Sequence, residues 1–348
     1  MKLVDAGRGL AAGYASRMLA SAGARVTRVI DTSTPPDPHR DADPAVHAYF
    51  DRSQNHIEVN LTTAEGKRDL KTLCLDADAL IDDRRPKDSE PRGLDFASLS
   101  AVNAQIVVAN VTPFGTTGPY RNYRGSDAVV AFMSGLGYMN PRDMPKEGDG
   151  RKQPPIKLPG SLVSIYGGIS TAGAVLAGLR LREQTGKGHH VDVSMVETLI
   201  PTMRRELSKY FYEGIISSRF MRVWKLAPWG IKKCRDGYVF LQIVEEHHWL
   251  GFVDMMGNPG WALDKRYLDN DYRYDNRVDI EKRIAPWLAA HPKAEIAWEA
   301  QKRSVPFAAV NTLRDLAHMP QLAAREFFEP YADGVLPPRL IPGEPYPA

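Results

Sequence analysis

Three glycines near the start of the chain are spaced in a way that could receive a phosphate. Gly7-Arg8-Gly9 and Gly13 follow the apolar run Lys2 to Ala6, and Asp31 closes a second such run. A dinucleotide loop uses its glycines to bring backbone N–H groups against a pyrophosphate, with spacing G-x-G-x-x-G. Here the third glycine comes one residue late. Turn glycines that carry a strand into a helix explain the pattern with fewer demands, and that reading is preferred. Two histidine pairs, His189-His190 and His247-His248, suggest a metal. Neighbours on a strand point to opposite faces, and neither pair has a Cys or Asp companion at ligand spacing, so no metal site is expected. From residue 150 to residue 182 there is no Asp or Glu. Chemistry placed in that stretch has no carboxylate of its own, and Ser164 lies in its middle.

The elements that hold these residues alternate between strand and helix. Lys2 to Ala6 reads as a strand, Leu10 to Ala22 as a helix with Leu10, Tyr14, Met18 and Leu19 near one face, and Arg25 to Ile30 as a β-branched strand. The pattern continues through a helix over 65–75, strands at 79–81 and 106–111, and a short helix between them. A parallel α/β sheet follows. Residues 140–160 read as a loop. Ile165 to Leu181 reads as a helix rich in small residues, which allow another backbone to approach closely. His190 to Met195 alternates like a strand, and Glu197 to Tyr212 is helical. A connector leads to a second unit. It opens on a β-hairpin about Asp236-Gly237 and continues through helices at 247–256, 277–291 (broken or kinked near Pro286) and 294–302. A strand over 305–310 and short helices at 313–318 and 321–328 follow. The tail from Pro337 reads as an extended arm. The expected boundaries are 1–200 for a large domain, 201–226 for a connector, 227–300 for a small α+β domain, and 301–348 for a connector returning to the large domain.

Composition narrows the function. In 348 residues, 45 Lys and Arg face 42 Asp and Glu, a net charge of +3. That balance argues against a nucleic-acid surface, which concentrates basic residues. No run is expected to reach the length of a membrane span, and the N-terminus lacks the build of a signal peptide. Cys74 and Cys234 give neither a disulfide framework nor metal spacing, which fits a reducing cytoplasm.

Segments along nearly the whole chain resemble, in order, the class III CoA-transferase (CaiB/BaiF) family. They include Asn60-Leu61-Thr62-Thr63-Ala64-Glu65-Gly66, Arg85-Pro86, Phe114-Gly115-Thr116-Thr117-Gly118-Pro119-Tyr120, Thr185-Gly186-Lys187-Gly188, Val191-Asp192-Val193-Ser194, Ala227-Pro228-Trp229-Gly230 and Pro320-Gln321-Leu322. The resemblance implies an open Rossmann-like large domain, a small middle domain and an interlocked dimer. The connectors at 201–226 and 300–320 suit such threading. It also implies coenzyme A and acyl-CoA as substrates with no permanently bound cofactor, and places CoA contacts at Arg28, Arg85 and Arg124. Solvated surface charge is the alternative reading of those three.

In the family an Asp carboxylate attacks the thioester and carries the acyl group as a mixed anhydride, which stays activated for thiolate return. The position four residues before Gly168 is Ser164, and no neighbour is a carboxylate. A serine ester would be far less activated, and capping of a helix from Ile165 is the preferred reading of Ser164. The stretch Ser217 to Trp224 lacks the family's glycines, and Asp51-Arg52-Ser53-Gln54-Asn55-His56 is less basic than expected. Racemases of the family use two bases, and here Ser126 and Ser164 replace both. Asp127 remains, either as a hydrogen-bond acceptor behind the site or as a cap at Ala128. The expectation is therefore a catalytically silent subunit, with no catalytic residue of its own. A paralogous subunit would supply the Asp, as in the activation of acids such as benzylsuccinate by succinyl-CoA. An active homodimer with displaced chemistry and a CoA-ester binding protein without turnover are the alternatives.

Overall fold

A computed structural model describes residues 1–40, 46, 49–50, 55–141, 153–220, 225–331 and 334–336. The expected arm from Pro337 lies outside the described residues. The chain divides into two compact units, Met1–Met221 with Ala324–Ala348, and Arg222–Ala323.

The first unit is built on six parallel strands in the order β3-β2-β1-β4-β5-β6. They are β1 (Lys2–Asp5), β2 (Arg25–Asp31), β3 (Asn55–Val59), β4 (Ala79–Asp82), β5 (Val107–Thr112) and β6 (His190–Ser194). Alternation along the strands divides the core in two. Leu3, Ile81, Val107 and Ala109 face one layer, while Val4, Leu80 and Val108 face the other. The helices are α1 (Leu10–Ser21), α2 (Ala64–Cys74), α3 (Pro86–Ser89), α4 (Phe96–Ser100), α5 (Asp127–Met133), α6 (Leu162–Thr185), α7 (Met195–Leu199) and α8 (Arg204–Glu213). The strand order reverses between β1 and β4. In open α/β sheets, ligands sit in the crevice beyond the strand ends at such a point.

Helix α6 supplies the closest packing. A Cβ on Gly168 would lie 2.8 Å from the Ala11 carbonyl oxygen and 2.8 Å from Tyr14 Cβ, so the absence of a side chain is what brings α6 against α1. By length and composition alone α6 is long and apolar enough to span a membrane, where the sequence reading expects no run of that length. Its Ala172 and Val175 instead pack in the core with Leu19 and Val107.

Several expected boundaries shift. Helix α6 begins at Leu162, so Ser164 lies inside its first turn and is not its cap. Helix α5 begins at Asp127, with Ser126 at its N-cap, so Asp127 does not cap it. The helix expected over 197–212 is interrupted by a 3-10 turn at Ile200–Met203, where Pro201 cannot donate a backbone bond.

In the second unit, β7 (Trp229–Cys234) and β8 (Gly237–Gln242) form the expected hairpin, with Cys234 opposite Gly237. Helices α9 (Glu246–Met255), α10 (Asn270–Asp275), α11 (Arg277–Ala290) and α12 (Lys293–Lys302) surround a core containing Trp249, Phe252, Ile284 and Phe307. Helix α11 is assigned without a break through Pro286. The strand expected over 305–310 shrinks to Ala308–Ala309.

Candidate active site

The loops at the strand ends are set by charge pairs. Asp5 accepts from Arg40 Nη2 at 2.7 Å, and Arg40 Nη1 reaches the Gly7 carbonyl at 3.1 Å. Arg84 Nη1 donates to Asp82 at 2.7 Å, and its Nη2 lies 3.4 Å from Asp31. Arg92 Nε also donates to Asp31, at 2.9 Å. Asp5, Asp82 and Arg40 are fully buried, and Asp31 and Arg84 nearly so. Burial pushes Asp31 up, but hydrogen bonds from Ser33, Arg92 and the Leu61 N–H outweigh it and hold the carboxyl below its ordinary range. The acid that ends β2 is therefore a structural anchor.

The glycines of the β1–α1 turn serve packing. A Cβ on Gly7 would overlap Ala12, and one on Gly13 would press on the Arg40 guanidinium. The N–H groups of Arg8 and Gly9 donate to the Asp83 carboxylate at 2.8 and 2.5 Å. An internal carboxylate thus takes the N–H groups that a loop phosphate would use, which agrees with the preferred turn reading.

Three cavities lie in series along this edge. The first, about 400 Å³, is lined by Arg28, Asp31, Pro35 and Glu58. The second, about 570 Å³, is lined by Arg8, Arg84, Arg85, Arg92, Tyr123 and Arg124. The third, also about 570 Å³, is lined by Leu10, Ala11, Asp127, Lys157, Ser164 and Met195. Arg8 and Thr34 line both the first and the second, Gly9, Asp83, Pro113 and Gly125 line both the second and the third, and Asp37 lines all three. The sequence-chosen arginines therefore divide. Arg28 is buried on β2 beside the first cavity, and Arg85 and Arg124 line the second. Arg85 is tied to Asp88, its Nε donating at 2.8 Å. Sequence reading missed Arg8, Asp83, Arg84 and Arg92. Its available signal was the run Asp82-Asp83-Arg84-Arg85 directly after an apolar strand, too charged for a plain turn.

Ser164 and Asp127, 37 residues apart, meet in the third cavity. Ser164 Oγ donates to Asp127 Oδ1 at 2.6 Å, and the Ser164 N–H reaches Oδ2 at 3.3 Å. Ser164 is the third residue of α6, and N–H groups of a first turn have no partner within their own helix. Ser161, the N-cap of α6, makes no side-chain capping bond. Asp127 supplies the acceptor from outside.

The two glycine-containing motifs also meet. Asp192 on β6 accepts from the Thr116 N–H at 2.9 Å and from Thr116 Oγ1 at 2.7 Å, which fixes the Phe114–Tyr120 loop. A side chain at Gly188 would press on the Ile106 backbone. The histidines beside this motif are engaged separately, His189 with Thr185 Oγ1 and His190 with Asn110 Oδ1, each at 2.9 Å. Cys74 and Cys234 are both buried and free, and burial pushes the Cys74 thiol up to about 12.

Comparison with known proteins places this geometry. The model of CoA-transferase family III matches residues 1–345. The succinyl-CoA:(R)-benzylsuccinate CoA-transferase subunit BbsE of Thauera aromatica is 30% identical, over 96% of this chain and 84% of its own length. The succinyl-CoA–L-malate CoA-transferase beta subunit of Chloroflexus aurantiacus is 26% identical, over 90% of this chain and 78% of its own. A crystal structure of a CaiB/BaiF family protein from Brucella suis superposes with a TM-score of 0.84 at 24% identity, covering 94% of this chain and 88% of that one.

Proposed function

Because this chain belongs to CoA-transferase family III, we propose that it moves CoA between an acyl-CoA and a carboxylic acid as one subunit of a heteromeric, interlocked enzyme. The other subunit would be a paralogous chain carrying an aspartate at the position matching Ser164. The observation that carries the transfer reading is the series of three cavities along one sheet edge. An acyl-CoA is an elongated ligand with a nucleotide, a run of phosphates and a thioester, in that order. The first cavity suits the nucleotide. Arg8, Arg85 and Arg124 in the second suit phosphate oxygens, which guanidinium groups bind with charge-assisted hydrogen bonds. The third leaves the thioester beside Ser164 and Asp127. Two relatives named as subunits support the heteromeric part, and their names point to succinyl-CoA and dicarboxylic acids as the substrates to try first. A cytoplasmic setting is part of the same proposal.

On this reading position 164 forms no adduct. A serine must lose a proton to attack, and its hydrogen bond here runs to a carboxylate and not to an imidazole. That same bond favours a second reading over complete silence of this half: a carboxylate does stand in the site, one hydrogen bond away from where the family places its own. Calorimetric titration of the purified protein with CoA tests the transfer reading. Micromolar binding that weakens about tenfold in Arg124→Gln is expected, since losing one charge-assisted contact costs on the order of 1.4 kcal/mol or more. No binding of CoA would contradict it.

A further inference from the structure

We infer that Asp127 is the catalytic carboxylate of this chain, the nucleophile having moved from α6 to the start of α5. The assignment rests on the transferase reading above. Ser164 occupies the position where a nucleophile belongs, and its hydroxyl donates to Asp127 at 2.6 Å. The carboxylate is half-buried and lines the same cavity as Ser164. Both of its oxygens are held, one by the hydroxyl and one by the backbone N–H, so its direction is set. Among the described residues it makes no salt bridge. The first residues of α1, Leu10 and Ala11, line the cavity as well. N–H groups of a first helical turn have no intrahelical partner and suit an oxyanion.

The steps balance without any further reactant. An Asp127 oxygen attacks the thioester carbonyl carbon, the C–S bond breaks, and CoA leaves as the thiolate with the bonding pair. The product is an aspartyl–acyl anhydride. The thiolate then attacks the aspartyl carbonyl, releasing the donor acid as its carboxylate and leaving an aspartyl thioester. The acceptor carboxylate attacks that thioester and expels the thiolate again. The thiolate attacks the acceptor carbonyl of the second anhydride, which yields acceptor-CoA and restores Asp127. Every step exchanges a C–S bond and a C–O bond, with no net proton and no redox change. Ser164 acts as a positioning residue. It holds the carboxylate in place and carries no acyl group.

The test measures exchange of label between carbon-14 succinate and succinyl-CoA, a reaction that needs no knowledge of the acceptor. It uses the full-length chain, alone and paired with a paralogous chain whose matching aspartate has been changed to asparagine, so that only this half-site can act. Asp127→Asn keeps an oxygen to accept from Ser164 and serves as the main variant. Exchange should fall by at least about 10³-fold, as for loss of a covalent nucleophile. CoA titration of the same variant, changed by less than about threefold, would show that the fold and the phosphate site remain. Ser164→Ala should lower kcat about tenfold with KM little changed, because one hydrogen bond to a charged group is lost. Full exchange by Asp127→Asn would overturn the assignment. So would an inactive pair of wild-type chain and disabled partner alongside an active intact pair, since this half would then be silent. Neither exchange nor CoA binding by the intact pair would overturn the transferase reading, and the assignment with it.

Discussion

Asp5, Asp31 and Asp82 stand at one sheet edge with Asp127, and they differ in what meets them. The first three are buried and each contacts an arginine, Arg40 for Asp5 and Arg84 for Asp31 and Asp82. Asp127 faces a cavity and is held by a hydroxyl and a backbone N–H. A carboxylate paired with a guanidinium serves structure, because the cation neutralises it and takes its lone pairs. A carboxylate held by neutral donors at the wall of a cavity keeps an open approach. The difference between the two regions separates scaffold from chemistry, although all four residues are aspartates near strand or helix ends.

Exchange chemistry gives the largest expected contrast. Asp127→Asn should abolish turnover by the measure above while leaving the denaturation midpoint nearly unchanged. Arg84→Met should act chiefly on stability. It leaves Asp82 and part of Asp31 without a cation in a buried site, a loss of about 3–5 kcal/mol, read as a drop in the midpoint of urea unfolding. Acid probes the same network. The Asp31 carboxyl is held low in the folded state, so its contribution to stability is present above the unfolded value near ~3.9 and is lost as pH falls through the folded value. Unfolding midpoints should therefore decline as pH falls below the unfolded value, and that decline should flatten in Asp31→Asn.

Smaller effects sharpen the boundary between the regions. Gly168→Ala places a methyl 2.8 Å from the Ala11 carbonyl oxygen, and overpacking of this kind costs about 1–3 kcal/mol. Because α1 and α6 both border the third cavity, this variant should lose both stability and exchange rate. Arg124→Gln sits at the low end, with about tenfold weaker CoA binding and no change in unfolding.

Most of the scaffold was legible in the chain because it depends on periodicity. Short apolar or β-branched runs at 2–6, 25–30 and 106–111 mark the strands. The small residues from Gly167 to Gly178 announced a helix that packs closely, and Asp236-Gly237 announced the hairpin. Boundaries were less legible where the cap comes from another segment. Ser164 looked like an N-cap because a hydroxyl before an apolar run usually is one. The true acceptor for that turn is Asp127, 37 residues earlier, and no local pattern encodes it. The candidate site was partly legible. Motif order points to Arg85 and Arg124, which line the second cavity, whereas Arg8, Arg84 and Arg92 converge only once β1 and β4 are neighbours. A carboxylate contributed by a different helix, as Asp127 is to Ser164, leaves no signal in the residues around position 164.

Locating the acyl group during turnover tests the central claim most directly. The protein is mixed with succinyl-CoA in the presence of hydroxylamine, which converts an acyl anhydride or thioester on an aspartate into a hydroxamate, and peptides are mapped by mass spectrometry. The account expects the hydroxamate on Asp127, with Ser164 unmodified. An adduct on Ser164, or modification confined to a paired chain while this one turns over unmarked, would contradict it.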